Sequence, residues 1–423
     1  MNTVEIKNAL LSGAFDNSFN YLYGETEVAK QRYIEAVEGF QKEFPNADGN
    51  IRLFSAPGRT EVGGNHTDHQ HGCVLAGSVQ LDIIAVVCEN GEDIIRIKSK
   101  GYDVDVVNLS DIAKNDAEKG CSLSLIKGIC DGFKNLGCEL KGFDAYTISC
   151  VPKGSGLSSS AAFEVLVGTV VNALSGNKAD SLSIAKIGQY AECDYFGKPC
   201  GLLDQMASAS GGFTFADFND PKNPVVESIS VDIDSFGYTL CVVDTGGDHA
   251  NLTDDYAAIT RECKDVSLAL GVEFLRDADS NKFYAELGKL KEKCSYRALL
   301  RAHHFFGEND RVLEQKSAIL SGEFEKFLEL VNASGQSSYD YLQNLYSPSY
   351  PHNQELSLAI ALTKKFLGGK GACRVHGGGF AGTIQCYIPS DMFDEYKSMI
   401  EAVYGKDSCT KLRIRPVGGY EIV

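Results

Sequence analysis

Tyr146-Thr147-Ile148-Ser149-Cys150-Val151-Pro152-Lys153-Gly154-Ser155-Gly156-Leu157-Ser158-Ser159-Ser160-Ala161-Ala162 decides how this chain folds. Tyr146 to Val151 reads as a strand that stops at Pro152. From Ser160 to Leu174 the chain is apolar almost all round and closes on Gly176-Asn177, which predicts a buried helix with a C-terminal stop. Between them lies a Gly/Ser turn. Its glycines let backbone approach a bulky anion, and the helix start adds unpaired N–H donors and a favourable dipole. Gly154, Ser155, Gly156, Leu157, Ser158, Ser159 and Ser160 are therefore candidate phosphate-binding residues, and one serine hydroxyl could ligate Mg²⁺. No Gly-Lys-Ser/Thr follows, so this is not a Walker A loop. A flexible loop with serine as a helix cap would look the same, so the decision passes to the flanking sequence.

Upstream, residues 1–50 read as helical. Glu25 to Phe44 has apolar positions at helical spacing, ended by the breaker run Pro45 to Asn50. Ile51 to Leu109 reads mostly as strands, with Ile94–Lys100 and Tyr102–Leu109 forming a hairpin around Gly101. Downstream, a helix over Ser183–Tyr195 precedes the tight segment Gly197 to Gly201. Gly211-Gly212 and the Asp217–Pro224 cluster mark a domain boundary. The remainder mixes strands (Thr239–Asp244, Thr383–Pro389) with helices (Tyr256–Leu270, Leu313–Asn332). Strands and helices within both halves give an α+β class. The expected division is 1–216, including the helical extension 1–50, and 217–423.

Composition narrows the function. A formal charge of −17 argues against a broad nucleic-acid surface, which needs clustered Lys and Arg. No run of about 18 uncharged apolar residues predicts a membrane span, and Met1 to Asn20 lacks the pattern of a secretory signal. The 14 cysteines include no C-x-x-C pair and read as reduced thiols of a cytoplasmic protein.

Chemistry is densest at Arg59-Thr60-Glu61-Val62-Gly63-Gly64-Asn65-His66-Thr67-Asp68-His69-Gln70-His71-Gly72. In one reading Arg59 offsets charge while Asn65, His66 and Asp68 hydrogen-bond a polyol, as sugar sites require. In another, His66, Asp68, His69 and His71 hold zinc for hydrolysis, although no helical H-E-x-x-H frame is present. A third cluster, Gly377-Gly378-Gly379-Phe380-Ala381-Gly382, fits G-x-G-x-x-G but runs into strand-like Thr383–Ile388 instead of a helix, which rules out dinucleotide binding. Glycines entering a strand instead suggest backbone packed closely against a loop or a ligand.

These clusters, in this order, resemble the three signature motifs of the galactokinase branch of the galactokinase, homoserine, mevalonate and phosphomevalonate kinase superfamily. The first is Pro57-Gly58-Arg59…Gly64-Asn65-His66-Thr67-Asp68-His69, the second is Gly154–Ala161, and the third is Gly377–Gly382. Pro199-Cys200-Gly201-Leu202-Leu203-Asp204-Gln205 is similar to the family's segment carrying the catalytic aspartate. Asp255-Tyr256 and Arg301-Ala302-His303…Glu308-Asn309-Asp310-Arg311-Val312 add agreement.

The resemblance implies two lobes around a cleft, the first with the phosphate loop and the second ferredoxin-like. It also implies transfer of the ATP γ-phosphoryl group to O1 of a galactose-like sugar. Asp204 would accept or orient the O1 proton beside Arg59; Asn65, His66, Asp68 and Tyr256 would contact the sugar; Glu192 and Ser159 would hold Mg²⁺. ATP and a small sugar are the expected partners of a monomer or weak homo-oligomer, with a silent sugar sensor as an alternative role. The sequence departs from galactokinases where Asn65 replaces the usual Glu, His69 replaces Tyr, and Ile259-Thr260 replace an Arg pair. Asn65 removes a charge that would repel a C6 carboxylate, and Asp68-His69-Gln70 is similar to a string in galacturonate kinases. Galactose is the first expected substrate and galacturonate the second.

Overall fold

The computed structural model describes residues 1–47, 49–152, 156–247 and 252–423. Its strands are β1 (Ile51–Gly63), β2 (Cys73–Glu89), β3 (Ile94–Ser99), β4 (Val104–Asn108), β5 (Phe143–Ser149), β6 (Phe213–Asp217), β7 (Val225–Ile229), β8 (Tyr238–Asp244), β9 (Ala372–His376), β10 (Thr383–Pro389), β11 (Cys409–Leu412) and β12 (Tyr420–Glu421). One sheet runs β12-β1-β2-β5-β3-β4, with β6 also pairing β2 and β7 pairing β6. The other runs β11-β8-β10-β9 and is antiparallel throughout. The fold is α+β, as expected, and is built on two sheets.

Strands β1 and β2 are apolar on both faces because both faces are covered. Ile51, Leu53, Ile84, Val86 and Cys88 pack on the N-terminal helices, while Phe54, Ala56, Ile83, Ala85 and Val87 face the main core. The helix Glu27–Glu43 supplies Tyr33, Ile34, Val37 and Phe40 to the first face. Residues 1–47 thus form an outer layer on the large sheet. The first helix, Thr3–Leu11, is started by a reciprocal capping box between Asn2 and Glu5.

On the opposite face lies the helix Ser159–Leu174, whose Val165, Leu166, Val170 and Val171 enter the main core. The small sheet is covered on one face by the helices Glu355–Leu367 and Phe393–Tyr404, and on the other by Phe324–Ser337.

Two sequence expectations change. The helix foreseen over Leu313–Asn332 is the end of one, Tyr296–Leu320, and the start of another, Phe324–Ser337. Gly322 turns the chain between them in the left-handed region at φ 71°. The helix foreseen over Ser183–Tyr195 ends at Tyr190 and continues as a π-helical turn, Ala191–Phe196, stopped by Gly197 at φ 86°. The Asp217–Pro224 cluster is the turn of the β6–β7 hairpin, and the small sheet begins at Tyr238.

Candidate active site

Strand β1 delivers the first component. Its register against β2 shifts between Pro57 and Arg59, and such a bulge re-aims the following side chain. Arg59 is buried; its Nε donates to Oδ1 of Asp204 at 2.7 Å, and its Nη1 donates to the carbonyl of Gly156. The Arg59 amide also donates to Leu157 O at 3.0 Å, pinning the Gly/Ser turn to the strand. Gly58 has no room for a side chain, since a Cβ there would lie 2.6 Å from Leu157 O.

Ser158 stands just before the helix Ser159–Leu174 with φ 56°, ψ 65°, and its hydroxyl makes no cap bond. It donates instead to Oδ2 of Asp204 at 2.7 Å. Holding a serine in the left-handed region costs about 1 kcal/mol or more, and such strain collects at functional sites. Both oxygens of Asp204 are therefore held, one by Arg59 and one by Ser158. Asp204 sits in the first turn of the helix Leu203–Ser210, with its side chain one-third exposed and open to a ligand. Of the phosphate-loop candidates, Gly154 and Ser155 lie outside the described residues. Ser158 reaches Asp204 directly, Gly156 and Leu157 are tied to it through Arg59, and Ser159 and Ser160 begin the helix that follows.

Glu192 comes from the π-helical turn and is buried. Its Oε1 pairs with Lys198 Nζ at 2.9 Å, and its Oε2 accepts from Gln205 Nε2 at 2.7 Å. The same Gln205 Nε2 donates to Glu164 Oε2 at 2.9 Å. Burial first, then the charge of Glu192, pushes the Glu164 carboxyl well above the ordinary range. Glu164 Oε1 has no hydrogen-bond partner. Glu164, Gln205 and Lys198 were not singled out from sequence; a lone glutamate inside the apolar helix was the available signal. A carboxylate and a hydroxyl are suitable donors for a hard cation. Lys198 balances the Glu192 charge here, and Glu192 and Ser159 fit an Mg²⁺ site by donor type.

The sugar-motif residues fall into two groups. Asp68 opens a short turn after β1, accepts the His69 amide at 2.9 Å and packs on Gly201, leaving no space there for a side chain. Burial raises its pKa; His66 opposes that shift and the charge of Asp204 adds to it. His66 Nε2 donates to Gly378 O at 2.9 Å, and its ring stacks on Tyr256 with centroids 6.5 Å apart. The Tyr256 hydroxyl donates to Gly379 O at 2.8 Å. Asp68, His66 and Tyr256 thus form one wall.

Asn65 belongs to the other group. It is buried, its Nδ2 donates to Glu61 Oε1 (2.9 Å) and Gly377 O (2.8 Å), and its Oδ1 accepts from Asn344 (2.8 Å) and Ser338 (3.3 Å). Every hydrogen-bonding position of this amide is taken by the protein. Glu61 is itself paired with Arg374 at 2.8 Å.

The Gly377–Gly382 run is the backing of this wall. A Cβ on Gly378 would lie 2.6 Å from the Tyr256 ring, and the carbonyls of Gly377, Gly378 and Gly379 accept from Asn65, His66 and Tyr256. The helix Tyr296–Leu320 braces it from behind. Its Glu308 accepts the Gly64 amide at 3.0 Å, and its His304 donates to Asn65 O at 2.9 Å. Burial would raise the Glu308 pKa, but Arg311 and the other cations nearby hold it down at about 2.

Zinc chemistry does not fit this arrangement. Among the described residues no group of three or more His, Cys, Asp or Glu is placed to hold a metal ion. His71 stacks on Phe274 at 3.6 Å, and His66 is committed to Gly378.

Comparisons with known proteins place the chain among sugar kinases. Residues 124–212 match the GHMP kinases N terminal domain, and residues 38–89 match the galactokinase galactose-binding signature. The galactokinase of Streptomyces coelicolor is 31% identical over 83% of this chain and 88% of its own length. That of Actinobacillus pleuropneumoniae is 27% identical over 84% and 90%. The solved structure of Lactococcus lactis galactokinase complexed with galactose superposes with a TM-score of 0.78 at 25% identity, covering 90% of this chain and 98% of that one. A mevalonate kinase shares the fold at a TM-score of 0.57 and 16% identity, over 86% and 98% of the two chains. Shared sequence of that extent, with a match to the galactokinase galactose-binding signature, makes the chain a member of the galactokinase family.

Proposed function

We propose that the chain transfers the γ-phosphoryl group of ATP to the anomeric hydroxyl of galactose, giving galactose 1-phosphate and ADP. The observation that carries this is the position of Asp204. Its carboxylate is gripped by Arg59 and Ser158 at the mouth of the phosphate loop and stays open on its outer side.

Phosphoryl transfer asks a protein mainly for positioning and charge stabilisation. The sugar O1 would lie against Asp204, which takes its proton as the O1–phosphorus bond forms. Arg59 holds the carboxylate in a fixed orientation and offsets negative charge on the group in transit. The Gly/Ser turn and the start of the helix Ser159–Leu174 receive the phosphates. Mg²⁺ bound to ATP neutralises phosphate charge, and Glu192 with Ser159 would hold it. Asp68, His66 and Tyr256 would orient the ring hydroxyls.

Asn65 favours a neutral sugar over a uronate. Both its N–H groups are committed to Glu61 and Gly377, so no amide donor faces a C6 carboxylate. The ring N–H of His66 is likewise engaged by Gly378. Among the described residues no helix is long and apolar enough to cross a membrane. The 14 free cysteines suit a reducing compartment, and we place the chain in the cytoplasm.

The test is ADP release over a panel of galactose, galacturonate and amino sugars, with the product identified by mass. Galactose should be turned over fastest. Galacturonate preferred over galactose would reverse the assignment, and no ADP release with any sugar would leave a sensor.

A further inference from the structure

Two thiols sit on the segment that joins Glu192 to Asp204. Cys193 lies in the π-helical turn, and the chain folds back at Gly197 to bring Cys200 against it. The sulfur atoms are 3.7 Å apart, and the Cys200 amide donates to Cys193 Sγ at 3.4 Å. Both residues are partly exposed, and Asp194 and Gly197 to Pro199 around them are exposed, so a small oxidant can reach the pair. By contrast Cys241, Cys373 and Cys386 are sealed in the core of the small sheet.

The thiolate is the form of either cysteine that attacks an oxidant, and the partner sulfur 3.7 Å away is placed to resolve the product.

We propose that Cys193 and Cys200 form a reversible thiol–disulfide switch, closed by hydroperoxides and opened by dithiols, whose closure slows phosphoryl transfer. The Cys193 thiolate attacks a peroxide oxygen, the O–O bond breaks, and the alkoxide or hydroxide takes up the proton that the thiol released. The sulfur is then a sulfenic acid. Cys200 displaces its hydroxyl as water, leaving an S–S bond, so two thiols and ROOH give one disulfide, ROH and water.

Bond formation draws the sulfurs from 3.7 Å to about 2 Å. Cys193 follows Glu192 directly, and Cys200 Sγ lies 3.8 Å from Gln205 Nε2, the group that bridges Glu192 and Glu164. The next residue, Gly201, is wedged against Asp68. A shift of Cys200 is therefore passed to the Glu192 carboxylate on one side and to the sugar wall and Asp204 on the other.

This effect on rate rests on the kinase reading, whereas the thiol chemistry does not. The full chain, reduced, is exposed to hydrogen peroxide, alkylated and digested, with ADP release followed in parallel. The expected result is a peptide linked between Cys193 and Cys200 and a kcat lowered by up to about 10²-fold, as about 1 Å of misplacement can cause. Dithiothreitol should restore it. Cys193→Ser should keep its basal rate and lose the peroxide response. Alkylation of both cysteines after peroxide has oxidised other thiols would overturn the proposal, as would equal inactivation of Cys193→Ser. The linked peptide is read without turnover, so a chain that forms it yet phosphorylates no sugar sinks the kinase reading alone.

Discussion

Arg59 and Asp204, 145 residues apart in the chain, meet at 2.7 Å through Nε and again through Nη2, while Nη1 of the same guanidinium holds the Gly/Ser turn at Gly156. One planar group thus fixes the distance between the proposed base and the phosphate loop. Lysine offers a single point of charge and cannot reach both partners. Arg59→Lys should therefore keep the fold and lower kcat/KM by about 10²-fold, a scale set by losing one oriented charge contact. A variant within about twofold of wild type would mean that charge alone suffices.

Asn65 is predicted to act on stability before substrate. Removing its amide leaves the buried polar groups of Glu61, Asn344 and Ser338 short of partners. Asn65→Ala should cost about 2–4 kcal/mol in urea unfolding. Asn65→Glu, which restores the usual family residue, sets a second carboxylate beside Glu61, where two ionised groups about 4 Å apart repel by about 4 kcal/mol at an effective dielectric near 20. It should be destabilised without faster galactose turnover. Unchanged stability with a raised galactose KM would instead place the amide on the sugar.

This residue also shows where the sequence is legible. Pro57 to His69, the Gly/Ser turn and the Gly377 run could be found because each requires particular residue types: glycine where backbone approaches closely, and acids and imidazoles at a polar wall. Strands β1 and β2 were legible as strands within Ile51–Leu109, while the covering of both their faces appears only in the fold. What Asn65 touches was not legible, since three of its four partners, Gly377, Ser338 and Asn344, are distant in sequence. Glu164 and Gln205 were missed for the same reason: their role exists only where two helices and a π-helical turn converge. The break at Gly322 was hidden because apolar spacing continues through it.

Acid should weaken the brace behind the wall of Asp68, His66 and Tyr256 in two stages. Burial lowers His304 from an ordinary 6.5 to about 4, so below pH 6.5 the unfolded chain gains a proton that the folded chain refuses. Stability falls between pH 6.5 and 4 by about 3 kcal/mol from this group. Glu308, held at about 2 against an ordinary 4.5, stabilises fully above pH 4.5 and loses that contribution as pH falls toward 2. Urea unfolding at a series of pH values should show both slopes, and His304→Gln should flatten the upper one by one proton. An unaltered upper slope would assign it elsewhere.

Asp204→Asn keeps the size of the side chain and an oxygen for Arg59 or Ser158, but it cannot take up a proton. The most direct measurement is its kcat for ADP release with saturating galactose and ATP, beside wild type. A fall of about 10²–10⁴-fold with the fold intact is the predicted result. Turnover within about twofold of wild type would contradict the assignment of Asp204 as the proton acceptor.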